Sequence, residues 1–300
     1  MTTPVRCVLI GAAGQLGFDL GRTFELPGEL IRLTRADLDL LDPAAIPRVL
    51  RALRPTHVVN TAAYNLVDRA EDDPGPAFAL NAEAVGTLAA TCDALGATLV
   101  HFSTDYVFDG CRSTPYGEDD PPAPLGQYGA SKLAGERLAL AGGRRAFVFR
   151  VCGLFGVARS TGKGGTNFVE TMLRLAREDR PIRVVRDQVL TPSYTLDLAP
   201  KVWRVLARGG PGLYHLTNTG ATSWYDFARE IFRLTGLAPD LTGVTAAEYG
   251  ARARRPAYSV LGQGRLAALG EDDLRPWPAA LAAYLQERAT LGTGPQPARM

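Results

Sequence analysis

Lysine is almost missing from this 300-residue chain. Of 33 basic residues, 30 are Arg and three are Lys (Lys132, Lys163, Lys201). A chain that uses Arg wherever a cation will serve makes each surviving Lys worth asking about. Cysteine is scarce too: Cys7, Cys92, Cys111 and Cys152 lie far apart with no CxxC pair, and the three histidines (His57, His101, His215) are scattered. That spacing argues against a disulfide framework and a clustered zinc site, and predicts reduced thiols in a cytoplasmic protein. Net charge is only +2, so no broad basic field points to nucleic acid or an anionic membrane surface. No apolar run approaches the ~20 residues that cross a bilayer. The opening PVRCVLIG reads as a strand, with no charged n-region or cleavage site before it.

What is present is a soluble composition, 46% apolar and 21% charged, at a length suited to two compact domains or one large one. The first half alternates strand and helix signals. VRCVLI (5–10), LIRL (30–33), HVVN (57–60), TLVHFST (98–104) and AFVFRV (146–151) are short apolar runs, as expected of strands buried on both faces. Helical spacing follows each of the first four: QLGFDLGRTFEL, a segment opened by Asp42-Pro43 as N-cap and first residue and reaching Leu53, AFALNAEAVGTLAATCDALG, and YGASKLAGERLALAGG. Strands and helices at this rhythm predict βαβ units, a parallel sheet and a doubly wound α/β (Rossmann-type) fold. The second half is less regular, with helices predicted over 167–178, 195–207, 223–236 and 277–288, and strands over 182–185 and 212–217. No linker stands out, so any second, smaller domain is expected to be interwoven with the first, near 1–153 with about 186–222 on one side and about 154–185 with 223–291 on the other. The Gly/Pro-rich 292–300 is expected to be a disordered tail.

GAAGQLG sets Gly11, Gly14 and Gly17 between the first strand and first helix, where glycines permit a tight turn and close backbone approach to a pyrophosphate at a helix N-terminus. Some 20 residues on, where sites preferring NAD place an acid for the ribose, stand Thr34 and Arg35. Arg35 either faces a 2′-phosphate, which favours NADP(H) over NAD(H), or is a solvated loop charge. Tyr128 and Lys132 lie four apart, on one face of a helix. An ammonium there is expected to pull the phenol's pKa down towards useful acid–base chemistry and to bind a nicotinamide ribose. Lys163 and Lys201 have no such partner and read as surface residues. Ser103 and Thr104 close the fourth strand, where ligands collect in open α/β sheets and a hydroxyl can meet a substrate carbonyl.

The glycine turn, NTAAYNLVDRAE, STDYVFDG, YGASKLAGE and RRPAYSVL together resemble the extended short-chain dehydrogenase/reductases. Within them the chain, from about residue 5 to 288, is similar to the dTDP-4-dehydrorhamnose reductase family. The resemblance implies hydride transfer from NADPH, with NADH often serving, to C4 of a dTDP-4-keto-6-deoxysugar. It implies Thr104, Tyr128 and Lys132 as the catalytic set. Along the cofactor it implies Gly14, Gln15, Leu16, Asp39, Leu40, Ala62, Ala63 and Tyr64, and on the sugar-nucleotide side Asp105. Asn167, Arg254 and Arg255 are candidates for the nucleotide end, the arginines alternatively being a solvated charge run. Gly153 departs from the family, standing where relatives often carry a Trp against the sugar nucleotide, so another dTDP-4-keto-6-deoxysugar stays open as substrate. So does a regulatory relative that binds NADP(H) without catalysis. Magnesium and a homodimer occur in the family; no metal site is read from these residues.

Overall fold

The computed structural model describes residues 4–142, 145–158 and 166–291. Its centre is a six-stranded, all-parallel sheet: β1 (Val5–Ile10), β2 (Gly28–Leu33), β3 (His57–Asn60), β4 (Thr98–Thr104), β5 (Ala146–Val151) and an edge strand, Gly212–His215. Across the sheet the order is β2, β1, β3, β4, β5 and then the edge strand. The order reverses between β1 and β3, and open α/β sheets bind ligands at that crevice, outside the carboxyl ends of the strands.

The apolar runs are continuous because both faces are covered. Along β1, Cys7 and Leu9 join a core with Leu20, Phe149, Leu198 and Trp203, while Val8 and Ile10 join one with Ile46, Leu88 and Val148 on the opposite face. A third core, built by Phe155, Val169, Met172, Tyr194, Phe227, Ile231 and Tyr284, lies among the helices Phe168–Arg177, Trp224–Thr235 and Trp277–Thr290.

Three local features depart from expectation. The second helix (Ala45–Leu53) begins at Ala45 rather than at Pro43, although the Asp42 carboxylate still accepts the Ala44 and Ala45 N–H groups at 3.0 and 3.2 Å. The edge strand stops at His215, two residues short. The long helix before β4 carries a wide π-turn, Ala79–Glu83, between Gly75–Phe78 and Ala84–Leu95. That turn holds Asn81, whose amide accepts the Tyr64 N–H (2.9 Å) and donates to the Tyr64 carbonyl (3.1 Å) and to Ser131 Oγ (3.0 Å). Such bulges recur at functional sites, and this one ties the loop after β3 to the helix Gln127–Gly142.

The first helix, α1 (Gln15–Arg22), is anchored beneath its N-terminus. Asp19 is fully buried and accepts hydrogen bonds from Thr195 and from Arg22, whose guanidinium also meets Glu287. One carboxylate thereby joins α1 to the helix Thr195–Arg208 and, through Arg22, to the helix Trp277–Thr290.

Candidate active site

At the carboxyl ends of β1, β3 and β4 opens a cleft of about 1560 Å³. Every residue singled out above for cofactor, catalysis or substrate lines it, from Gly11 to Arg255. The glycine turn is tight enough to exclude side chains: a Cβ on Gly11 would lie 2.7 Å from Thr61 Oγ1, and one on Gly17 would overlap the Gly11 carbonyl. Gly14 caps α1 without a side-chain partner for its first N–H groups, and the Gln15 amide nitrogen is buried with no hydrogen-bond partner. A helix N-terminus without a side-chain cap, beside a turn closed to side chains at Gly11 and Gly17, fits a pyrophosphate, as the dinucleotide reading requires.

Arg35 is 79% exposed and ion-paired with Asp39 at 3.2 Å, so it reaches the cleft rim already partnered. Leu40 is buried beside the same rim, and Ala62, Ala63 and Tyr64 also line the cleft.

Lys132 is 2% exposed and donates to the Phe102 carbonyl. Burial pushes its ammonium down to about 8, with Glu136 working in the other direction. Tyr128 corrects an expectation. Burial raises the phenol above its ordinary value, the Asp105 charge raises it further, and the neighbouring Thr104 hydroxyl only partly offsets them. Desolvation is the first cause of that shift, so burial favours the protonated phenol. Thr104 donates to Asp105 Oδ1 at 3.0 Å and accepts the Tyr106 N–H at 3.2 Å. Asp105 is itself buried, receives Ser259 Oγ at 2.6 Å, and has its carboxyl raised chiefly by desolvation.

The nucleotide-end candidates separate. Arg255 is held by both carboxylate oxygens of Asp68 (2.8 and 3.2 Å), whereas Arg254 is exposed and makes no ion pair among the described residues. Asn167 lines the cleft, but its amide caps the helix Phe168–Arg177, accepting the Glu170 N–H at 3.0 Å and donating to the Gly156 carbonyl at 3.1 Å. Its amide is committed to the fold. Gly153 sits at φ +53°, against Leu190 and Pro192. Lys201 was expected at the surface; it is buried, paired with Glu271 at 2.8 Å and with Asp273. Lys163 and the 292–300 tail lie outside the described residues.

Sequence reasoning passed over Trp224 and Phe168, whose rings meet at 4.6 Å on the cleft wall, and Ser259, which holds Asp105. Trp224 and Phe168 gave only a helical periodicity; Ser259 lay inside the RRPAYSVL segment without a partner to suggest its use.

A family model described as the RmlD substrate binding domain matches residues 5–290. The chain belongs to that family. It is 42% identical over 284 residues to a dTDP-4-dehydrorhamnose reductase of Streptomyces griseus, covering 92% of this chain and 91% of that one. It is 36% identical over 279 residues to a dTDP-4-keto-6-deoxy-D-glucose reductase of Streptomyces niveus, covering 92% and 95%. The crystal structure of a dTDP-4-dehydrorhamnose reductase from Bacillus anthracis in complex with NADP superposes with a TM-score of 0.88 at 35% identity, covering 95% of this chain and 100% of that one. The fold class read from the strand and helix rhythm is thus the family's. Among the described residues no helix is long and apolar enough to cross a membrane, and no three His, Cys, Asp or Glu side chains gather as a metal site.

Proposed function

We propose that this chain reduces the C4 ketone of a dTDP-4-keto-6-deoxysugar, dTDP-4-dehydro-L-rhamnose before others, using NADPH in preference to NADH. The observation that carries the reading is one cleft shared by a bare helix N-terminus and by Tyr128, Lys132 and Thr104, in a chain of this family. The bound nicotinamide supplies the hydride. Tyr128, kept protonated by burial and by Asp105, donates the phenolic proton to the C4 oxygen as that oxygen gains charge. Thr104 sits beside the same oxygen and orients it. Lys132 holds the ribose hydroxyls and offsets the charge left on the Tyr128 oxygen. At the far end, Arg254 is the guanidinium free to meet the diphosphate, since Arg255 is engaged by Asp68.

A different dTDP-4-keto-6-deoxysugar is the second reading, and Gly153 favours it: no side chain projects from this position, so the sugar pocket is wider there. The experiment is to follow NADPH oxidation with dTDP-4-dehydro-L-rhamnose generated in situ. Rapid oxidation giving dTDP-L-rhamnose supports the first reading. Tight NADPH binding without oxidation moves the assignment to another ketosugar, and failure with the whole series moves it to a binding protein.

A further inference from the structure

Behind the cleft runs a ladder of buried charge. Arg150, on β5, is 2% exposed and grips Glu136 with two parallel hydrogen bonds, Nε to Oε2 at 3.0 Å and Nη2 to Oε1 at 2.5 Å. Glu136 is 3% exposed and stands one helical turn after Lys132 on the same helix. At the other end Arg150 meets His215 Nε2 at 3.3 Å, and its guanidinium lies 4.9 Å from the centre of the Phe108 ring. His215 donates from Nδ1 to the Gly262 carbonyl at 2.9 Å, which leaves Nε2 to accept from Arg150. Burial foremost, with Arg150 adding to it, holds this imidazole neutral at about 3. The ladder therefore reads cation, anion, cation, neutral ring.

Two cations and one anion in a dry interior leave a surplus positive charge, and the lysine is the member that can lose it, because a guanidinium does not deprotonate. The other groups around Lys132 are accounted for. β4 offers His101, which burial and Lys132 itself keep neutral. The turn Asp105–Val107 offers Asp105, which faces Thr104 and Ser259, and Tyr106, which packs edge-on against Tyr128. From the segment before the π-turn, Glu71 accepts the Gln127 N–H and Asp68 holds Arg255. Glu136 is left as the carboxylate that acts on the ammonium.

We propose that Glu136 is a positioning residue of the reaction: its buried carboxylate, fixed by Arg150 one helical turn from Lys132, keeps that lysine an ammonium. The proposal rests on the reductase reading for the lysine's role, but its first test does not. With three lysines in the chain, lysine labelled with ¹³C at Cε gives a spectrum simple enough to follow, and the Lys132 signal is the one lost in Lys132→Arg. Glu136→Gln should lower the Lys132 titration midpoint by about one unit or more, the scale of a buried charge partner. Arg150→Gln should raise it, because Glu136 then serves the lysine alone. The alkaline limb of kcat/KM should move with the midpoint in each variant, while well below that limb Glu136→Gln stays within about threefold of the wild type, since the ammonium is then formed in both. Thermal melts establish which variants fold. If Glu136→Gln does not, Glu136→Asp, expected to lower the midpoint by less, and Arg150→Gln decide the matter. An unmoved midpoint, or Glu136→Gln and Arg150→Gln shifting it in the same direction, overturns the coupling. A shifted midpoint with a fixed activity limb overturns Glu136's place in the reaction. Failure of the reductase reading shows separately, as a wild-type enzyme inert towards ketosugars.

Discussion

Placing an aromatic at position 153 tests what the missing side chain does for this pocket. Gly153 lies in the left-handed region, at φ +53°, where an L side chain costs roughly 1–2 kcal/mol. Its Cβ would sit 3.0 Å from Leu190 Cδ1 and 3.2 Å from Pro192 Cα. The leucine terminus can rotate away, but the proline backbone cannot, so crowding adds to the strain. Gly153→Ala should therefore lose about 1–3 kcal/mol. At about 2–4 °C per kcal/mol, the scale for large single domains, Tm should fall by several degrees in a thermal melt. Gly153→Trp should lose at least as much and should raise KM for a ketosugar that the wild type accepts, because the indole enters the sugar end of the cleft. An unchanged Tm in Gly153→Ala would refute the strain argument, and with it the claim that this backbone is built for glycine.

Tyr128→Phe should lower kcat by about 10²–10⁴-fold, the range for a positioned general acid, with NADPH affinity nearly unchanged; equal turnover would remove Tyr128 as proton donor. Arg35→Ala should weaken NADPH much more than NADH by titration calorimetry, and equal weakening would take Arg35 away from the 2′-phosphate. Arg254→Ala should raise KM for the sugar nucleotide about tenfold or more, as 1.5–3 kcal/mol for a charge-assisted hydrogen bond implies. Arg255→Ala should instead lower Tm slightly, by releasing the half-exposed Asp68 pair that ties residue 68 to the 253–255 segment. Lys201 holds the Glu271 and Asp273 carboxyls below their usual values, the hydrogen bond to it being the first cause of each. Such groups stabilise above their unfolded pKa values, about 4.5 and 3.8, and that stability goes as pH falls through the lowered folded ones. Tm in the wild type should thus drop steeply below about pH 4.5, and Lys201→Met should be less stable at pH 7 with a shallower drop; parallel curves would contradict this.

What could be read from the chain beforehand was what neighbours in sequence determine. VRCVLI announced a strand covered on both faces, and Tyr128 and Lys132 had to share a helix face at their spacing. Contacts made across the fold were out of reach. Arg254 and Arg255 are chemically identical neighbours, and only the position of Asp68, nearly 190 residues earlier, decides which is free. Lys201 reads as a surface cation until the 271–273 segment folds over it. Glu136 shows no more in the sequence than a helical charge, because its partner Arg150 comes from the next strand. The Tyr128 pKa failed for a related reason: spacing gives the distance to a cation but not the loss of water around the phenol, and the loss of water dominates.

That failure bears on when each group acts. A buried phenol beside the Asp105 carboxyl is a poor place to hold a phenolate. A phenol that gives its proton to a carbonyl has to be intact before the transfer. On the proposed reading the lysine then acts late. Before transfer there is no phenolate for its charge to stabilise; as the proton leaves, a negative oxygen forms in a dry pocket, and the ammonium on the same helix face offsets it. Keeping Lys132 charged in that pocket is therefore a condition of the transfer rather than a consequence of it, and in this fold the charge that sustains it stands one helical turn away.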